Sequence, residues 1–202
     1  MSTGSTHGAV DLYWLPLGEG GQCVRWSGKA FELMAARYSH RTPRPLFHSA
    51  LEVFLGDERF VIEMAPVWSV DEVGRGVVCE GPVGIAALGR SRLFRYEVRC
   101  WADGTIPDAS QAIGGPNRVS KDHAMARRVL DLVPVFPNAT WGRDELATGE
   151  MWNSNSLTAW LLALSGHRMD AISPPGLGRA PGWNAGLAVA RRRERPMGPI
   201  RE

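Results

Sequence analysis

The fold is decided by the stretch LFHSALEVFLGDERFVIEM, residues 46–64. Apolar and polar residues alternate with a period of two on both sides of residues 56–59, Gly-Asp-Glu-Arg. This alternation is typical of half-buried strands, and a Gly-Asp pair between two such runs is a turn signal. The stretch therefore predicts a β-hairpin with strands over residues 46–53 and 60–64.

Further strands are predicted on both sides of this hairpin. A short strand covers Leu12–Leu15 and is ended by Pro16, and another covers Gly76–Cys79. Aromatic and apolar residues alternate with charged ones over Leu93–Trp101 and predict a third. We expect these strands to form a mainly antiparallel sheet.

Helical spacing of apolar residues marks three helices. One covers Gly28–Tyr38, and a second runs from a cap at Ser120 to about Val133, before Pro134. A third begins in the capping cluster of residues 152–156, Trp-Asn-Ser-Asn-Ser, and ends at Gly166. Residues 174–183 are predicted to be loop. Strands beside segregated helices predict an α+β fold in which an antiparallel sheet packs against helices.

The domain organisation is predicted from the length of the chain and from its polar and basic end segments. A chain of 202 residues corresponds to about one domain. We expect a flexible N-terminus over residues 1–10, a single α+β domain over residues 11–189 and a basic C-terminal tail over residues 190–202.

Composition excludes several classes of protein. The formal charge of +2 is too small for a dedicated nucleic-acid binder, and no apolar run approaches the length of a membrane span. Cys23, Cys79 and Cys100 are an odd number of thiols without metal-ligand spacing, so we expect buried free thiols in a reducing compartment. The first ten residues do not resemble a secretory signal. The expected location is the cytoplasm, with neither nucleic acid nor a membrane as partner.

Three residues are the candidate catalytic group: His48 in the first hairpin strand, Glu63 in the second and Ser154 at the start of a helix. A serine hydroxyl is a weak nucleophile until a base removes its proton, which is the role of His48. Glu63 would orient and charge-stabilise the imidazole. The start of a helix offers unpaired N–H groups and a positive dipole end to a developing oxyanion.

Each of these residues also has an ordinary structural interpretation. Ser154 is a residue type that caps helices, although Asn153, Asn155 or Ser156 would serve equally well. His48 taken alone is more often a hydrogen-bonded structural histidine. Glu63 taken alone is a solvent-facing residue or an ion partner for an arginine.

Residues 46–53, LFHSALEV, and residues 153–162, NSNSLTAWLL, resemble circularly permuted members of the papain-like NlpC/P60 superfamily. In that superfamily the His strand precedes a helix that opens with an Asn-Cys dipeptide. The chain order agrees, but Ser154 stands where the family has cysteine. The resemblance covers about a quarter of the chain and implies a papain-like fold.

The resemblance implies peptidase, amidase or acyl-transfer chemistry. The predicted function is a hydrolase or acyltransferase that acts on an amide or ester through a Ser154–His48–Glu63 triad and a covalent acyl-enzyme. Asn153 and Trp152 are candidates for the oxyanion or substrate pocket. No cofactor and no metal are expected, and the partner is a small-molecule or peptide substrate. The alternative is a catalytically inactive papain-like binding or scaffolding module.

Overall fold

A six-stranded antiparallel sheet organises the part of the chain that the computed structural model describes, namely residues 7–17, 44–67, 74 and 76–194. The order of strands across the sheet is β4-β5-β3-β2-β1-β6. The strands are β1 (Gly8–Pro16), β2 (Phe47–Leu55), β3 (Glu58–Pro66), β4 (Val77–Pro82), β5 (Arg95–Ala102) and β6 (Asn117–Ser120).

Three α-helices complete the described fold. They are α1 (His123–Leu132), α2 (Ser154–Leu164) and α3 (Trp183–Glu194). The α+β class with an antiparallel sheet is therefore confirmed. None of the helices in the described residues combines the length and apolar character that a membrane crossing requires. The predicted helix over Gly28–Tyr38 lies outside the described residues.

The predicted hairpin is confirmed, and its turn is tight. Leu55 pairs with Glu58, so Gly56 and Asp57 alone make the loop between β2 and β3. Gly56 has a φ of 63°, which is a backbone conformation that glycine adopts without steric cost. The register runs from this turn to Leu51 opposite Ile62.

Helix α2 is the centre of the core. It packs against β2 and β3 on the sheet and against α1 and α3. Trp160, Leu161 and Leu162 are fully buried, as are apolar residues of the sheet such as Val53 and Val98. Because these side chains fill the space between sheet and helix, the first turn of α2 is held in a fixed place beside β2.

Two boundaries differ from the sequence prediction around α1. The cap is Asp122, whose Oδ1 accepts a hydrogen bond of 2.8 Å from the Met125 N–H, and not Ser120. Ser120 ends the short strand β6, which the sequence did not predict. β6 pairs with β1, and Arg118 forms an ion pair with Asp11 there. A polar strand of four residues lacks the alternation that identifies longer strands.

Helix α3 is the largest correction, because residues 190–194 were predicted to be tail. After Trp183 at its first position, its buried side is made of the small residues Ala185, Gly186 and Ala190, which give little hydrophobic periodicity. A Cβ on Gly186 would lie 2.2 Å from the Ser156 carbonyl oxygen. Glycine there therefore permits the close approach of α3 to α2.

Candidate active site

Ser154 is the first residue of α2, and its hydroxyl is not the helix cap. That role belongs to Asn153, whose side chain accepts hydrogen bonds from the N–H groups of Asn155 and Ser156 at 2.9 and 3.3 Å. The Ser156 hydroxyl in turn accepts the Asn153 N–H at 3.1 Å and completes a capping box. The capping interpretation of Ser154 is therefore wrong.

The structure brings His48 and Ser154 together across 106 residues of sequence. His48 Nδ1 lies 3.2 Å from Ser154 Oγ, within hydrogen-bonding distance. Ser154 is 4% exposed, and His48 is partly buried near the start of β2. This is the nucleophile and base geometry that acyl transfer requires.

Asn155 fixes the position of this pair. Its Nδ2 donates to the Phe47 carbonyl oxygen at 2.9 Å, and its Oδ1 accepts from the Ser49 hydroxyl at 2.8 Å. Phe47 and Ser49 flank His48 on β2, while Asn155 follows Ser154 on α2. The buried Asn155 amide thus joins α2, which carries Ser154, to the residues of β2 on both sides of His48.

Replacing this amide will destabilise the fold. We expect Asn155→Ala to lower the free energy of unfolding by about 3 kcal/mol, since it leaves several buried polar groups without partners. The matched control is Asn184→Ala, which removes one exposed amide bond to Glu150 and costs less than about 1 kcal/mol. Urea denaturation of both variants measures the difference. Equal losses would show that Asn155 does not hold the two elements together.

Glu63 has a different partner from the one predicted. It lies opposite Arg99 on β5, and Arg99 Nη1 donates to Glu63 Oε1 at 2.9 Å. Arg99 Nε also donates to Glu97 Oε2 at 3.0 Å, and all three side chains are buried. Burial raises the pKa of Glu63, while Arg99 acts to lower it. The structure therefore joins Glu63 to a guanidinium and not to His48.

The two residues predicted for the oxyanion or substrate pocket lie in the core and at the start of α2. Trp152 is a core residue, 1% exposed, with its ring stacked on Phe136 at a centroid distance of 5.0 Å. Asn153 uses its carbonyl oxygen for capping and donates from Nδ2 to the Pro181 carbonyl oxygen at 2.8 Å. In this structure Trp152 belongs to the core and Asn153 to the cap of α2.

One backbone donor does remain beside the nucleophile. The N–H groups of Asn155 and Ser156 point at Asn153, whereas the Ser154 N–H has no acceptor within the described residues. It lies at the positive end of the α2 dipole. This N–H is the candidate oxyanion donor, a role that the sequence analysis gave only to the helix start in general.

Burial sets the charge of His48. It lowers the pKa of the imidazole to about 4, although the charge of Asp108 acts in the opposite direction. His48 is therefore neutral at pH 7, so Nδ1 can accept the hydrogen bond from the Ser154 hydroxyl while Nε2 carries the proton. The imidazole is in the form that a general base needs, although its basicity is weak.

The described residues contain no cluster of three or more His, Cys, Asp or Glu side chains suited to a metal ion. Cys79 and Cys100 are free and partly buried, and burial raises the pKa of each thiol to about 11. Cys23 lies outside the described residues.

Comparisons with models of protein families, with curated proteins and with solved structures found no match. The geometry of the Ser154 site is therefore the basis for inferring a function.

Proposed function

We propose that this protein is a serine-nucleophile hydrolase or acyltransferase that acts on an amide or ester bond of a small molecule or peptide. The observation that carries the proposal is the 3.2 Å separation of His48 Nδ1 and Ser154 Oγ at the start of a buried helix. The order of the His strand before the nucleophile helix supports a papain-like arrangement of the permuted NlpC/P60 type. Two free thiols support a cytoplasmic location.

The reaction begins with proton transfer from Ser154 Oγ to His48 Nδ1 as the oxygen attacks the substrate carbonyl carbon. The carbonyl oxygen becomes an oxyanion, which the Ser154 N–H stabilises. His48 then gives its proton to the leaving amine or alcohol as the C–N or C–O bond breaks. An acyl-enzyme remains on Ser154. Water or another acceptor, deprotonated by His48, attacks this ester and releases the acyl group.

The proposal predicts a burst with an activated ester. A p-nitrophenyl ester should release about one equivalent of nitrophenolate per chain before the slower steady state, because its good leaving group makes acylation faster than deacylation. Ser154→Ala should remove the burst. The matched control is Ser91→Ala, an exposed serine without a side-chain capping bond, which should keep it. A burst that survives Ser154→Ala would contradict the proposal.

A binding module without activity is the second candidate, and two observations favour it. Burial leaves His48 with a pKa of about 4, and Ser154 is 4% exposed. A weak base and an enclosed hydroxyl are poor catalytic groups unless a substrate changes their surroundings. The absence of any burst from correctly folded protein, with ester and amide substrates alike, would favour this candidate.

A further inference from the structure

The segment between β5 and β6 crosses the sheet face on which His48 lies. In the pairing of β1 with β2, Leu15 is opposite His48 and Tyr13 is opposite Ala50. Residues directly opposite each other in an antiparallel pair share a face. Ile106 is buried against Tyr13, Leu15 and Ala50, so this segment covers the same face.

Asp108 is carried on that segment next to the buried cluster. It precedes a 3-10 turn over Ala109–Gln111, and the Gln111 N–H donates to the Asp108 carbonyl oxygen at 2.8 Å. Ala109 and Ala112 pack against the cluster that contains Ile106. The Ile113 N–H then donates to the Trp14 carbonyl oxygen on β1 at 3.0 Å. Contacts on both sides of Asp108 therefore hold its backbone close to the sheet face that carries Leu15 and Ala50.

The backbone of Asp108 adopts the left-handed conformation, with φ of 60° and ψ of 21°. Aspartate tolerates this region better than most residues. The side chain is exposed, and its carboxylate acts electrostatically on the His48 imidazole in favour of the protonated form. Asp108 Oδ1 also accepts a long hydrogen bond of 3.5 Å from Gln111 Nε2.

The other charged and titratable groups around His48 have partners of their own. On β3, Glu63 is bonded to Arg99 of β5, which also binds Glu97. On β1, Tyr13 donates from its hydroxyl to Glu52 at 2.6 Å. Arg179 lies on the segment that pairs with the start of β2, and it has interactions of its own. From α2, the neutral hydroxyl of Ser154 faces the ring.

We propose that Asp108 supplies the negative charge that stabilises protonated His48 after it has taken the Ser154 proton, the task that Glu63 does not perform. This inference rests on the proposed function of the Ser154 site. Asp108 is a positioning residue, because it acts on substrate only through His48. Its effect is largest when the imidazolium forms and small in the resting site.

Titration of the His48 ring by NMR tests the electrostatic contact without any substrate. We expect Asp108→Asn to lower the pKa of His48 by about half a unit to one unit, since removing an opposite charge disfavours the imidazolium. The matched control is Asp103→Asn, another exposed aspartate with positive φ on the same segment, and it should leave this pKa unchanged. His48→Ala assigns the resonance.

The rate of labelling by a fluorophosphonate gives a second measurement. At pH 7 we expect Asp108→Asn to slow labelling about three- to tenfold, and Asp108→Glu to recover part of the rate. The rate should also fall as the pH drops through the pKa of His48, because protonation removes the base. This acid limb should lie at lower pH in Asp108→Asn.

The outcomes separate this inference from the proposed function. A His48 pKa that is the same in Asp108→Asn and Asp103→Asn overturns the inference. Normal labelling of Asp108→Asn also overturns it, while the Ser154 proposal stands. A shifted pKa in a protein that no probe labels supports the contact between Asp108 and His48 and counts against the enzyme.

Discussion

His48→Ala should reduce the rate of fluorophosphonate labelling by about a thousandfold or more, and Ser154→Ala should abolish labelling, because it removes the oxygen that bonds to phosphorus. The nucleophile and its base act in one step, so removal of either group leaves the other without a function. The 3.2 Å contact between Nδ1 and Oγ is the physical reason for this coupling.

The matched control for the imidazole is His123→Ala. His123 is the first residue of α1, and its Nδ1 lies 3.3 Å from the His7 carbonyl oxygen, a contact that joins α1 to the start of β1 and not to Ser154. Circular dichroism should show that all variants remain folded. Labelling of Ser154 at the unmodified rate in His48→Ala would mean that His48 does not act as the base.

Ser154→Cys should create a thiol far more reactive than those of Cys79 and Cys100. Its sulfur would lie at a helix N-terminus beside an imidazole, two features that lower the pKa of a cysteine. Burial raises the pKa of Cys79 and Cys100 to about 11, so only about one molecule in ten thousand carries either thiolate at pH 7. We expect iodoacetamide to react with the new thiol at least about a hundredfold faster.

Peptide mapping by mass spectrometry separates the new thiol from Cys23, Cys79 and Cys100. Adding His48→Ala to Ser154→Cys should remove most of the excess reactivity, which separates the effect of the imidazole from that of the helix. A new thiol that reacts no faster than Cys79 and Cys100 would show that the site does not activate a nucleophile.

The sequence predicted the parts of the fold that depend on local patterns. The hairpin of β2 and β3 follows from alternation around Gly56, and α2 follows from its capping cluster and apolar stripe. The resemblance to NlpC/P60 proteins joined His48 to Ser154, a pairing that no local pattern contains. The structure brings these two residues together as expected.

The features of the site that were not predicted depend on which elements lie side by side. Arg99 forms an ion pair with Glu63 because β5, and not only β2, is a neighbour of β3. Local periodicity does not give the order of strands in a sheet. Asp108 lies in an irregular segment whose position is set by the burial of Ile106. The role of Asn155 could have been predicted from the sequence, since an amide beside the nucleophile can form a hydrogen bond with the polar side chain of Ser49.

The central claim is that Ser154 forms a covalent acyl bond with the help of His48. Mass spectrometry of the protein after reaction with a fluorophosphonate tests it most directly, because the mass shift can be assigned to one residue. We expect a single adduct on Ser154 that is lost in His48→Ala and kept in His123→Ala. An adduct on another serine, or one on Ser154 that forms equally fast without His48, would contradict it.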